Sequence, residues 1–325
     1  MKLASIRSDK RDGTLVLVSR DNQYAFKPVH PLTQGISLKE ALERWDEISP
    51  MLMADYQSLC DGRLTNAFPW PNNSILAPIP NAPGFYDRSA FLSHVRRARQ
   101  SRGDVVPQTL YQRPLMYQGV SDQLLSYNAP IERLDKSFGT DFEGEFAVIV
   151  SDVPRETPPD KMSQYIKLIT FFNDITYREL IKEEIDLKFG FLQSKPNSSF
   201  APLVVTPDEL RGNWKDGRVH LELEVKLNGS LFGHPSGSEM HFSFFELVAH
   251  ACRTRPLSAG SIVGSGTISN EDTSKGFACL TEVRCQELIE TRKINTPWLV
   301  PGDRVEMDVR LEGVSVFGSI DEVVI

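Results

Sequence analysis

Two carboxylates one residue apart, Glu143 and Glu145, stand in the run Asp141-Phe142-Glu143-Gly144-Glu145-Phe146-Ala147-Val148-Ile149-Val150. Successive side chains of a strand point to opposite faces, so both acids share a face with Ala147 and Ile149. That composition predicts an interior face. Burying two carboxylates there costs roughly several kcal/mol each unless a positive charge answers them. With no Lys or Arg beside them in sequence, a divalent cation is the economical counter-charge. The alternative is an edge strand with both acids in water. Glu222 and Glu224 repeat the spacing, but their face carries His220 and Lys226, and the strand runs into Asn228-Gly229, a hairpin turn signal. That second pair reads as solvated.

Other chemistry-bearing residues are more isolated. Asp87 and His94 are seven positions apart, nearly two helical turns, and align along one face if 87–103 is a helix. His94 then either pairs functionally or packs as an ordinary histidine. Asp174 is a single acid in Phe171-Phe172-Asn173-Asp174-Ile175-Thr176; it needs a buried partner or caps the helix before Arg178. Lys195 is alone in the aromatic and glycine loop Phe189–Pro196. Val263-Gly264-Ser265-Gly266-Thr267 lacks the third glycine and following helix of a dinucleotide fingerprint, and fits close backbone approach to a ligand or another strand.

The elements that must position these groups follow from the pattern. Thr14–Val18 is a buried strand with Tyr24–Phe26 as its hairpin partner. Ser37 with Glu40 is a capping box opening a helix that Ser49-Pro50 ends, and a second helix follows to Gly62. Pro69, Pro71, Pro78, Pro80 and Pro83 mark an extended linker, which places a domain boundary near 75 and divides the chain into 1–75 and 76–325. In the helix over 87–103, Arg96, Arg97, Arg99 and Arg102 form the outer face. The stretch 105–135 is irregular, 160–170 reads as a helix, and Ser243 with Glu246 boxes another. Residues 261–267, 278–283, 304–309 and 315–318 read as strand and turn. Strands outnumber helices, so the fold class is α+β, mostly β.

Composition narrows the partners. At 325 residues the chain buries a large core. A net charge of -7 and an isoelectric point near 5.5 argue against a nucleic-acid backbone binder. Cys60, Cys252, Cys279 and Cys285 form neither a disulfide framework nor a zinc pattern. No apolar leader or run of membrane-spanning length appears, which predicts a soluble, cytoplasmic protein without membrane partners.

In order along the chain, these motifs resemble the fumarylacetoacetate hydrolase family, most of all its bacterial members with an extra N-terminal domain. The resemblance rests on Asp87 with His94, Glu143 with Glu145, Asn173-Asp174 with Arg178, Lys195 in Gln193-Ser194-Lys195-Pro196, and Gly264-Ser265-Gly266-Thr267. It implies a small barrel-like N-terminal domain and a C-terminal mixed β-sandwich roll, usually in a homodimer. It also implies Asp87, Glu143, Glu145 and Asp174 as ligands of a divalent cation, His94 as general base and Glu282 as its orienting partner. Arg178 and Lys195 would stabilise developing negative charge and, with Thr267, contact substrate. Two departures stand out: Glu282 lies slightly farther from Gly276 than in the animal enzymes, and Ile181 replaces a glutamine that often contacts substrate.

All-oxygen ligands select Mg²⁺, Ca²⁺ or Mn²⁺ without separating them. The activity the resemblance implies is hydrolysis of a carbon-carbon bond in a diketo acid, with fumarylacetoacetate of tyrosine catabolism as the leading substrate. Acylpyruvate hydrolysis, oxaloacetate decarboxylation and keto-enol isomerisation share the same residues. A scaffold that kept the fold without activity is the remaining alternative, and it has no use for four acids that are costly to bury.

Overall fold

The computed structural model describes residues 1–70, 74–188 and 190–325. Pro71 of the linker and Phe189 of the aromatic loop lie outside the described residues. The architecture is α+β and mostly β. Its principal sheet runs through Phe68–Pro69, Tyr24–Phe26, Thr14–Val18, Lys2–Ile6, Val204–Val205, Ile166–Asn173, Gly144–Val150, Ile262–Gly264, Phe85–Arg88 and Met116–Gln118. Neighbours are antiparallel except Ile262–Gly264 and Phe85–Arg88, which are parallel. Lys2 opposite Val205 and Leu3 opposite Val204 join the N-terminal strands to the later ones in one continuous sheet. A separate antiparallel sheet orders Ser230–Gly233, Glu224–Leu227, Arg304–Asp308 and Ile320–Val323.

The acidic strand, Gly144–Val150, lies between Ile166–Asn173 and Ile262–Gly264 and is buried throughout. Phe146, Val148 and Val150 enter one core, with Ile169 and Phe171. Ala147 and Ile149 enter another, with Leu168 and Phe172. Such a strand, covered on both faces, reads as a continuous apolar run. The edge-strand alternative for Glu143 and Glu145 is thereby excluded: they are 4% and 0% exposed.

Four expected elements differ from the structure. The helix over 160–170 is a 3-10 turn, Pro159–Gln164, followed by the strand Ile166–Asn173; burial on both faces hides the alternation that identifies a strand. Asp87 is not helical. It belongs to Phe85–Arg88, and the helix carrying His94 is confined to Leu92–Gln100, so their spacing is a strand-to-helix step. The stretch 278–283 enters a helix, Leu280–Thr291, whose N-terminus carries no side-chain cap from Cys279. Pro50 does not end a helix: the break is at Arg44, with φ -127° and ψ 33°, and Pro50 lies inside Trp45–Cys60. Burial of Trp45, Ile48, Leu52, Tyr56 and Leu59 along that helix outweighs the roughly 3 kcal/mol a proline costs a helix interior.

Local signals elsewhere hold. Both capping boxes form, Ser37 with Glu40 and Ser243 with Glu246. Asn228 and Gly229 take φ of 54° and 77° in the turn between Leu227 and Ser230, and Glu222 is exposed. None of the described helices is long and apolar enough to cross a membrane.

Candidate active site

The two strands that carry Asp87 and Gly264 run side by side, in the register Ile262 to Phe85 and Val263 to Tyr86. A Cβ on Gly264 would stand 2.2 Å from Asp87 Oδ1, so glycine is what lets Asp87 turn inward there. Gly266, at φ +76°, brings its N–H to Asp87 Oδ1 at 3.3 Å. The close approach expected of these glycines is therefore to a neighbouring strand. Tyr117, opposite Asp87 on Met116–Gln118, donates to Asp174 Oδ2 at 2.6 Å. Ser198 donates to Asp174 Oδ1 at 2.6 Å. Asp174 caps no helix; the residue before Arg178–Leu187 is Tyr177.

Asp87, Glu145 and Asp174 offer carboxylate oxygens within 4.8 Å of one another, all buried. Glu145 is fully buried, and neither of its oxygens accepts a hydrogen bond among the described residues. Burial, then the nearby Asp87 and Asp174 charges, push its carboxyl well above the ordinary range. Burial and Asp174 raise Asp87 to about 7. Three converging carboxyls without a full counter-charge fit a hard divalent cation.

Glu143 has a different environment. Arg178 Nη2 donates to its Oε1 at 2.6 Å, Lys195 Nζ to Oε2 at 2.5 Å, and Thr267 Oγ1 to Oε1 at 2.6 Å. Burial pushes this carboxyl up, but Arg178 and Lys195 overcome that and hold it well below the usual range. Lys195 Nζ also reaches Asp174 Oδ2 at 2.5 Å and Thr176 Oγ1 at 2.8 Å. The buried acids are thus partly neutralised by cations 35 and 52 residues away in sequence from Glu143.

A third group faces the same cavity. His94 Nδ1 is 3.5 Å from Glu282 Oε2. Nδ1 is buried and makes no hydrogen bond among the described residues, while His94 lines the cavity. Burial raises the Glu282 carboxyl, but His94, Ser269 and Arg97 overcome this and lower it. The cavity holds about 370 Å³ and is lined by Asp87, His94, Glu143, Glu145, Arg178 and Lys195, with Thr267 among them. Its apolar wall is Leu115, Met116, Ile181 and Phe191.

The fumarylacetoacetate hydrolase C-terminal family matches residues 85–324, and fumarylacetoacetase N-terminal domain 2 matches residues 1–81. The chain belongs to the fumarylacetoacetate hydrolase family. An uncharacterized protein of Archaeoglobus fulgidus is 27% identical over 47% of this chain and 58% of its own length. Oxaloacetate tautomerase YisK of Bacillus subtilis is 26% identical over 53% of this chain and 52% of its own. The chain thus spans little more than half of these two relatives. The fold extends further: fumarylacetoacetate hydrolase from Exiguobacterium antarcticum superposes with a TM-score of 0.69 at 19% identity, covering 100% of this chain and 99% of that one. Maleylpyruvate hydrolase from Sphingobium sp. SYK-6, solved with manganese(II) and pyruvate, gives 0.63 at 13% identity, covering 100% and 99%.

Within this family fold, several site residues carry no local sequence signal. Tyr117 sits in a stretch that reads as irregular. Arg97 was expected on an outer helix face, yet it is 7% exposed and donates to Glu282 Oε1 at 2.5 Å. Asp141 stands two residues before Glu143, and its carboxylate caps the Glu282 helix by accepting from Leu280 N at 2.8 Å and Thr281 N at 3.0 Å. An acid two positions before the Glu-x-Glu pair was the one available hint.

Proposed function

We propose that the chain is a divalent-metal-dependent hydrolase of a short β-diketo acid, with fumarylacetoacetate or an acylpyruvate as substrate. The observation that carries this reading is the placement of His94, with Glu282 behind it at 3.5 Å, on the same cavity as Asp87 and Glu145. A divalent cation held by Asp87, Glu145 and Asp174 would supply Lewis-acid polarisation of the substrate's keto oxygens.

The chain's own residues account for the rest of the chemistry. His94 accepts a proton from water at its cavity-facing nitrogen, while Glu282 fixes the ring and stabilises the imidazolium. The water oxygen bonds to the carbonyl carbon, and the carbon-carbon bond beside it breaks. His94 then returns the proton to the departing carbon. Lys195 and Arg178 sit beside Glu143 and offset the negative charge that develops. Leu115, Met116, Ile181 and Phe191 form an apolar wall, which suits the acyl end of the substrate and excludes water from it.

A second reading is keto-enol tautomerisation of oxaloacetate, favoured by the similarity to the Bacillus subtilis tautomerase. There His94 moves a proton between carbon and oxygen and no bond to water forms. The deciding experiment follows ultraviolet loss of acetylpyruvate and fumarylacetoacetate with Mn²⁺ and with chelator, beside the tautomerisation of oxaloacetate. Chelator-sensitive cleavage of a diketo acid is expected. Tautomerisation of oxaloacetate with every diketo acid left intact would transfer the assignment to the second reading.

A further inference from the structure

Glu282 is a shared carboxylate, and its two oxygens have different partners. Oε2 faces His94 Nδ1 at 3.5 Å. Oε1 accepts from Arg97 Nη1 at 2.5 Å and from Ser269 Oγ at 2.5 Å. His94 and Arg97 are three residues apart on the helix Leu92–Gln100, so one face of that helix presents both side chains to a single carboxylate.

The rest of the guanidinium is committed to the same neighbourhood. Nη1 also reaches Ser269 Oγ at 3.0 Å, and Nη2 donates to the Asn270 and Glu271 carbonyls at 2.5 Å and 3.0 Å. Ser93 donates to Ser269 at 2.7 Å. Meanwhile Phe91, the residue before this helix, supplies no side-chain cap. The buried Arg97 fork thus joins this helix to the segment 269–271 and to Glu282, beside the Ser93–Ser269 and Ser101–Cys285 contacts. Its planar donors match a carboxylate and fixed carbonyls in a way an ammonium does not. Arg96, by contrast, pairs with Glu271 at the surface.

We infer that Arg97 is a positioning residue for the base: by occupying Glu282 Oε1 it turns Oε2 toward His94 Nδ1 and leaves the opposite ring nitrogen for the substrate cavity. The inference rests on the reading of His94 as the base. Arg97 itself does not line the cavity, so its effect on turnover passes through Glu282. With the fork removed, Glu282 Oε1 keeps only Ser269 Oγ, and Oε2 is held less firmly toward His94 Nδ1, which weakens the selection of one tautomer.

The test combines Arg97→Met, Arg97→Lys, Glu282→Gln and the double variant Arg97→Met with Glu282→Gln, assayed on acetylpyruvate and oxaloacetate with Mn²⁺. Arg97→Met should lower kcat about a hundred-fold with little change in KM, and Arg97→Lys should recover part of the loss. In the Glu282→Gln background the same Arg97→Met change should add less than about three-fold, because the two act as a unit. Calorimetry with Mn²⁺ alone verifies that each variant keeps its acidic site. Additive losses, or a kcat loss matched by lost Mn²⁺ affinity, would overturn the inference. If the wild-type protein turns over neither probe, the functional reading fails separately. Nitrogen NMR of the His94 ring then decides: a protonated Nδ1 in the wild type, giving way to a tautomer mixture in Arg97→Met and Arg97→Lys, supports positioning, and unchanged ring shifts overturn it.

Discussion

Arg178 Nε donates to Asp141 Oδ2 at 2.7 Å, and the same carboxylate caps the helix that carries Glu282. One acid therefore ties the cation beside Glu143 to the partner of the candidate base. Asp141→Ala leaves two helix N–H groups without their acceptor and Arg178 with Glu143 as its remaining carboxylate partner. The expected loss is about 2–4 kcal/mol of stability, from a lost cap and a disrupted buried pair. Asp141→Asn, which keeps an acceptor oxygen, should lose about half as much. Urea unfolding monitored by circular dichroism measures both.

Gly264 has an ordinary backbone conformation, so its replacement acts through space alone. The added methyl of Gly264→Ala would lie 2.2 Å from Asp87 Oδ1 and displace that carboxylate from Glu145 and Asp174. Mn²⁺ affinity should fall by about ten-fold or more, as when a ligand's support is removed. Gly229→Ala, at φ +77° with nothing within 4 Å of the new methyl, should cost about 1 kcal/mol of stability and leave Mn²⁺ binding unchanged. Isothermal calorimetry distinguishes the two.

Metal binding should itself release protons. Asp87 is raised to about 7 and Glu145 is raised well above the ordinary carboxyl range, so both must ionise to serve as ligands. Mn²⁺ affinity should rise as pH increases through about 7. Calorimetry in buffers of different ionisation enthalpy should show protons leaving the protein on binding. An affinity independent of pH between 6 and 8, approximately, would remove the raised carboxyls from the metal site.

Glu322 offers a second pH dependence, in stability rather than in binding. Its Oε2 accepts from Asn173 Nδ2 at 2.7 Å, and Asn173 in turn accepts from Glu143 N at 3.0 Å. Burial raises the Glu322 carboxyl from 4.5 to about 8. The folded protein therefore keeps a proton that the unfolded chain releases. This contribution to stability is whole below pH about 4.5 and is lost as pH rises through about 8, at up to about 1.4 kcal/mol per pH unit. Glu322→Gln keeps the group neutral. Its unfolding free energy should fall less steeply than that of the wild type between those limits, and superimposable pH profiles would contradict the assignment.

The family was legible in the sequence because its motifs depend on residue type and short spacing. The same holds for the two capping boxes and the Asn228-Gly229 turn, whose donors and acceptors lie within three residues of one another. The apolar run Phe146–Val150 identified the buried strand, and with it the burial of Glu143 and Glu145. Elements whose cause is distant were misread: the strand Ile166–Asn173, covered on both faces, and the helix Leu280–Thr291, which waits for a cap 139 residues away.

Charge compensation is where the sequence ran out. It showed which acids needed a counter-charge, while the tertiary structure decided who supplied it: Arg178 and Lys195 at Glu143, Arg97 at Glu282, and three carboxyls left converging at Asp87, Glu145 and Asp174. The physical reason is range. Backbone conformation is governed by neighbours along the chain, but a buried charge is neutralised by whatever folding brings within about 4 Å, regardless of separation in sequence.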